Sequence, residues 1–141
     1  MARGILIVAD DASTLVYLKE LLEKNGYQTL LCEAEEFAME MLKPMEFPLV
    51  ILDINLAQIN GWEIVKYIKY EAPETCVLII TGTKNAKTAE FEEKYADTER
   101  FMISYKPFIA KSFLIQVREI IDNNNNTKQS NYCINEVKNV T

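Results

Sequence analysis

The fold of this chain follows from the stretch Ile5-Leu6-Ile7-Val8-Ala9-Asp10-Asp11, in which apolar residues run straight into two carboxylates. Three further apolar runs end in a polar residue in the same way, at Asp53, at Thr81 and at Lys106. Short continuous apolar runs are typical of strands that are buried on both faces of a parallel sheet. Because the carboxyl ends of parallel strands open onto a common crevice, we expect these polar side chains to meet there.

Between these runs, apolar residues recur at helical spacing. Strands are predicted at residues 4–9, 27–32, 49–53, 76–81 and 100–105, and helices at 13–25, 35–42, 62–70, 86–95 and 111–121. The buried face of the first helix is predicted to carry Leu15, Val16, Leu18 and Leu22. Strands that alternate with helices form parallel βαβ units with right-handed crossovers. We therefore expect an α/β, flavodoxin-like doubly wound five-stranded parallel sheet of order 2-1-3-4-5 with five helices.

The length of 141 residues is that of one domain, which we assign to residues 1–122. Residues 123–141 begin with four asparagines and remain mostly polar. Such a segment buries little apolar surface, so it is predicted to be a flexible polar tail or linker. Whether the chain is a fragment of a longer protein stays open at this point.

Composition excludes several classes of function. The net charge of −6 and the lack of a basic patch argue against nucleic acid as a partner of this domain. The chain has no histidine, which excludes Ser-His-Asp and Cys-His nucleophile systems and phosphohistidine chemistry within the chain. Its three cysteines share no metal-type spacing. No signal peptide or membrane-spanning run is visible, so a cytoplasmic protein without membrane contact is expected.

Three carboxylates, a hydroxyl and an ammonium in one crevice suit a hard divalent cation and a phosphoryl group. Asp10 or Asp11 alone could be an ordinary helix cap. As neighbours, however, the two like charges are expected to repel and to raise each other's pKa unless a cation neutralises them. The acidic stretch at residues 90–93 is most simply a solvated helix face.

With these motifs in this order, the chain resembles the receiver domain of two-component response regulators from residue 4 to about 121. The resemblance rests on Asp10-Asp11, residues 53–61, Thr81-Gly82 and residues 106–108. It implies that Asp53 accepts a phosphoryl group from a histidine kinase or phosphotransfer protein. It also implies a phosphoprotein that phosphorylates itself from a donor with magnesium and then loses the group, rather than a conventional enzyme.

The same resemblance implies a role for each matching residue. Magnesium would be held by Asp10, Asp11, Asp53 and the backbone carbonyl of Asn55. Thr81 would bind the phosphoryl oxygens, Gly82 would leave room for the donor, and Lys106 would pair with the phosphorylated side chain.

A departure from the family pattern lies three positions before Lys106. An aromatic residue usually stands three positions before the lysine, where this chain has Ile103. Tyr105 is nearby, and strand alternation puts it on the same face as Ile103. The resemblance implies that the signal leaves through the fourth helix, fifth strand and fifth helix, a surface that could also mediate self-association.

Alternative functions stay open from the sequence alone. One is a degenerate receiver that only binds partner proteins. Another is an FMN-binding carrier on the same fold, although Asp10-Asp11 would repel the FMN phosphate. A third is a hydrolase with an aspartyl nucleophile, but Asn55 stands where a second acid would be needed.

Overall fold

The computed structural model describes residues 4–9, 11–33, 35–53, 61–82, 86–95, 100–107 and 109–129. The strands are β1 (Ile5–Val8), β2 (Thr29–Cys32), β3 (Leu49–Asp53), β4 (Cys76–Thr81) and β5 (Phe101–Tyr105). The helices are α1 (Ala12–Lys24), α2 (Glu35–Leu42), α3 (Gly61–Glu71), α4 (Ala86–Tyr95) and α5 (Ala110–Gln129). All neighbouring strands are parallel, in the order β2-β1-β3-β4-β5. The predicted fold class and strand order are therefore confirmed.

The three central strands are buried on both faces because alternate side chains enter two separate cores. On β1, Leu6 and Val8 pack with apolar residues of α2, α3 and α4. Ile5 and Ile7 pack on the other side with residues of α1 and α5. This arrangement explains why β1, β3 and β4 read as continuous apolar runs. None of the described helices is long and apolar enough to span a membrane.

Strand register brings the ends of three strands to one edge of the sheet. Asp53 of β3 lies opposite Ile80 of β4, and Thr81 of β4 lies opposite Tyr105 of β5. Lys106 follows directly after β5. The polar residues that end these strands therefore lie at the same carboxyl edge.

Two details of the predicted helices are wrong. Val16 is 49% exposed, because α1 faces the sheet through Leu15, Leu18 and Leu22. The fifth helix does not end at residue 121 but continues through the asparagine run to Gln129. Extending an existing helix carries no nucleation cost, and asparagine has an ordinary helix propensity. The proposed domain boundary at residue 122 thus falls within α5, and residues 130–141 lie outside the described residues.

Arg100 closes the opposite end of the molecule, a role that the sequence did not indicate. Its guanidinium donates to the carbonyl oxygens of Ala72 (3.0 Å), Thr75 (2.5 Å) and Lys69 (3.4 Å), where α3 ends. It also lies 4.9 Å from the ring centre of Phe101. Burial lowers the pKa of Arg100. An arginine nevertheless stays protonated in proteins, so the guanidinium remains a cationic donor to these three carbonyl oxygens.

Candidate functional site

Asp53 and Lys106 form the centre of the carboxyl edge. The Nζ of Lys106 lies 2.8 Å from Oδ2 of Asp53, and the side chains are 36% and 6% exposed, respectively. An enclosed carboxylate is costly unless a cation or hydrogen bond compensates it, and Lys106 supplies both. The site thus holds an enclosed carboxylate beside a positively charged side chain.

Thr81 and Lys106 are joined through the backbone. The N–H of Lys106 donates to the carbonyl oxygen of Thr81 over 2.8 Å, directly before a cis peptide bond to Pro107. The Thr81 side chain is buried at the end of β4. The Thr81 hydroxyl and the Lys106 ammonium are therefore carried by neighbouring strand ends at the same edge of the sheet.

Gly82 follows Thr81 at this edge. It is exposed, and a Cβ built on it would meet no heavy atom of the described residues within 4 Å. Its backbone does not adopt a positive φ either, since Gly26 is the glycine that does. Among the described residues, neither packing nor backbone conformation requires a glycine at this position.

Asp11 caps helix α1. Its carboxylate accepts hydrogen bonds from the backbone N–H of Ser13 (3.3 Å), the Ser13 hydroxyl (2.9 and 3.0 Å) and the Thr14 hydroxyl (2.9 Å). These bonds, with the Ser13 hydroxyl foremost, lower the pKa of Asp11 because they stabilise the charged form. The expectation of a raised pKa is therefore wrong for Asp11.

The oxygen ligands expected for magnesium are only partly described. Asp11 and Asp53 are at the carboxyl edge, whereas Asp10 and Asn55 lie outside the described residues. Within the described part of the chain, no three acidic or cysteine side chains gather closely enough to hold a metal. Carboxylate oxygens at a solvent-open edge nevertheless fit Mg²⁺, which prefers oxygen and keeps several waters.

Ile103 and Tyr105 both face α4, as strand alternation predicts. Ile103 packs on the core that contains Phe91 of α4. The hydroxyl of Tyr105 donates to Oε2 of Glu92 on α4 over 3.1 Å. Reading residues 90–93 as only a solvated face therefore missed a specific contact of Glu92. A glutamate on a charged helix gives no signal in the sequence that it has a distant partner.

The single tryptophan of the chain lies close to α4. The ring centres of Trp62 and Phe91 are 5.6 Å apart, and those of Phe91 and Phe101 are 6.4 Å apart. Trp62 is half-buried in the first turn of α3. The three rings join α3, α4 and β5 on the side of the sheet that Tyr105 also occupies.

Comparison with known proteins agrees with this geometry. The response regulator receiver domain family matches residues 5–117. The transcriptional regulatory protein ZraR of Escherichia coli (strain K12) is 35% identical over 85 residues, which are 60% of this chain and 19% of ZraR. The chain thus corresponds to a small part of the length of that relative.

Two solved receiver domains have a closely similar backbone. The non-phosphorylated HemR receiver domain of Leptospira biflexa has a TM-score of 0.71 and 28% identity, covering 84% of this chain and 93% of its own. The beryllofluoride-activated NtrC4 receiver domain dimer has a TM-score of 0.72 and 26% identity, covering 86% and 98%.

Sequence match, sheet order and backbone similarity thus agree across most of the chain. The family match extends from the first residue of β1 into α5 and includes Asp53, Thr81 and Lys106. This chain belongs to the response regulator receiver domain family.

Proposed function

We propose that this domain is a phosphoacceptor of a two-component system and that Asp53 takes the phosphoryl group. The observation that carries the proposal is the enclosed Asp53 carboxylate with Lys106 Nζ 2.8 Å away. A carboxylate is a competent nucleophile for phosphoryl transfer when it is held in place and its charge is compensated.

In the proposed reaction, a carboxylate oxygen of Asp53 attacks phosphorus in line with the leaving group. The bond from phosphorus to the donor breaks, and its electron pair returns to the donor atom, an imidazole nitrogen when the donor is a phosphohistidine. Lys106 stays beside the aspartyl group and balances the charge that the phosphoryl oxygens bring. The carbonyl oxygen of Thr81 accepts a hydrogen bond from the N–H of Lys106. The hydroxyl of Thr81 would donate a hydrogen bond to one of the phosphoryl oxygens.

A bound magnesium ion would neutralise charge on the phosphoryl group during transfer. We propose that Asp11 and Asp53 hold it, together with Asp10 and the carbonyl of Asn55. The pKa of Asp11 is lowered by its hydrogen bonds, so its carboxylate keeps the charge that a metal ligand needs to a lower pH than a free aspartate does. Metal binding would use the carboxylate oxygens of Asp11, which also accept hydrogen bonds from the Ser13 and Thr14 hydroxyls.

A phosphohistidine donor would lie outside this chain, because these 141 residues include no histidine. A histidine kinase or phosphotransfer protein would have to place its imidazole over Asp53, and its surface would then cover the rim of the carboxyl edge. Ile109, three residues beyond Lys106, is 72% exposed there. An exposed isoleucine is a natural apolar contact for such a donor.

We further propose that the output surface comprises α4, β5 and α5. The edge strand β5 is partly exposed along most of its length, and Tyr105 joins it to α4. Self-association through this surface is a candidate form of output, since a solved receiver of similar backbone is an activated dimer.

The alternatives predict different behaviour. An FMN carrier would need a phosphate-binding loop after β1, but that loop carries the ionised Asp11 carboxylate. A degenerate receiver would bind partners without taking a phosphoryl group.

Acetyl phosphate with magnesium tests the proposal directly. Intact-mass spectrometry should show one added phosphoryl group on the native chain and none on Asp53→Asn. The exposed Asp122→Asn provides a control of the same chemical change and should label like the native chain. Labelling of Asp53→Asn would place the acceptor elsewhere, and no labelling of any variant would favour the degenerate receiver.

A further inference from the structure

The contact between Tyr105 and Glu92 ties helix α4 to the strand that carries the site. The Tyr105 hydroxyl donates to Glu92 Oε2 over 3.1 Å. A hydrogen bond that a carboxylate accepts is charge-assisted and stronger than one between neutral groups. The bond from Tyr105 to Glu92 joins two side chains that are 13 residues apart in the sequence, one on helix α4 and one at the end of strand β5.

The residue after Tyr105 is anchored to the two neighbouring strands. Lys106 reaches Asp53 at the end of β3 through its ammonium and Thr81 at the end of β4 through its N–H. Tyr105 is itself the register partner of Thr81. The dipeptide 105–106 thus contacts β3, β4 and α4 within two residues.

Tyr105 is suited to this connection by its chemistry. The β5 side chains that face α4 are Phe101, Ile103 and Tyr105, and only the last carries a hydrogen-bonding group. Ile103, which stands where the family pattern has an aromatic residue, can make only apolar contacts through its side chain. A polar link from β5 to α4 in this chain therefore depends on the tyrosine beside the lysine.

We propose that Tyr105 is a positioning residue that couples α4 to the pair of Lys106 and Asp53. Its bond to Glu92 holds the carboxyl end of β5 where Lys106 reaches Asp53, and a change of charge at Asp53 reaches α4 by the same route. The regulatory meaning of this coupling rests on the proposed function. Coupling is reciprocal, so a partner that presents a cation to Glu92 would also change the lifetime of the phosphoryl group on Asp53.

Amide hydrogen exchange tests the coupling without any phosphorylation. In Tyr105→Phe and in Glu92→Ala, the Lys106 amide should exchange about two- to tenfold faster, since its bond to Thr81 opens more often when one hydrogen bond is lost. Glu93→Ala is the matched control, because Glu93 is exposed on the same helix and loses the same charge. In Glu93→Ala, the Lys106 amide should exchange at the native rate.

A double variant and the phosphoryl lifetime complete the test. In the double variant that combines Tyr105→Phe with Glu92→Ala, the Lys106 amide should exchange no faster than in either single variant, because both changes remove the same hydrogen bond. After labelling with acetyl phosphate, the rate of phosphoryl loss should change in the same direction in both single variants, by about the same factor, and not in Glu93→Ala.

The proposal is wrong if the Lys106 amide exchanges at the native rate in Tyr105→Phe, if the two changes add, or if Glu93→Ala matches Glu92→Ala. Failure of the native chain to label would overturn the proposed function instead. The exchange measurements would still decide whether α4 and Lys106 are coupled.

Discussion

The ammonium of Lys106 reaches the carboxylate of Asp53 across 53 residues of sequence, at a distance of 2.8 Å. The contact joins the first residue after β5 to the last residue of β3, with β4 between these strands in the sheet. It accounts for an acidic group at the end of a strand that is otherwise wholly apolar.

Replacing Lys106 with methionine should lower the free energy of unfolding without metal. The change leaves the enclosed Asp53 carboxylate without its cation, and we expect a loss of about 1–2 kcal/mol, reduced from the value for fully buried pairs because Lys106 is partly solvated. Urea denaturation in a chelator measures it. Lys111→Met, on the exposed side of α5, should change little. Equal losses in both variants would mean that the ion pair does not contribute.

Acidification should reveal the contribution of Asp11. Its folded-state pKa lies below the unfolded value, so its ionised form stabilises the fold above the unfolded pKa, near pH 4, and that contribution disappears as pH falls through the lowered pKa. Asp11→Ala should therefore be less stable than the native chain at neutral pH, and the gap should narrow below about pH 4. Thermal melts across this range measure the gap.

Neutralising Asp11 should bring no stability gain in the metal-free protein. Asn is also a good helix cap, so Asp11→Asn should melt no higher than the native chain. A higher melting temperature would show that repulsion outweighs the bonds from Ser13 and Thr14.

Magnesium should stabilise the native chain and act through Asp11 and Asp53. A ligand that binds only the folded state at ten times its Kd adds about 1.4 kcal/mol to the free energy of unfolding. The rise in melting temperature with magnesium should shrink in Asp11→Asn and in Asp53→Asn, and persist in Asp122→Asn. A magnesium response that is the same in all four proteins would place the metal elsewhere.

Loss of the Arg100 guanidinium should destabilise the fold without affecting phosphorylation. Arg100→Met leaves the carbonyl oxygens of Ala72 and Thr75, just beyond the end of α3, without their cationic donor, and we expect a cost of roughly 2 kcal/mol. Arg100→Lys should recover only part of it, since one ammonium cannot reproduce the planar fork of donors. Arg118→Met, exposed on α5, is the control. Urea midpoints compared with the extent of acetyl phosphate labelling would separate stability from activity.

The sheet and the bounds of several elements could be predicted from the pattern of residue types. The predicted ranges 35–42, 49–53, 76–81 and 86–95 match α2, β3, β4 and α4. Continuous apolar runs predict buried strands reliably, because the two cores require apolar side chains on both faces of the sheet. The topological rules for parallel strands then gave the strand order and the edge at which Asp53, Thr81 and Lys106 end their strands.

Which side chains contact one another depends on how the elements pack, and the residue pattern did not predict it. Val16 is exposed and Leu15 is buried because of how α1 is rotated on the sheet, whereas the spacing had predicted both to be buried. The bonds from Tyr105 to Glu92 and from Arg100 to the end of α3 join elements far apart in sequence. Hydrogen bonds from the Ser13 and Thr14 hydroxyls lower the pKa of Asp11, whereas the sequence predicted a raised pKa. Apolar burial depends on the pattern of residue types, whereas a hydrogen bond depends on distances of a few tenths of an ångström, which the packing of the elements sets.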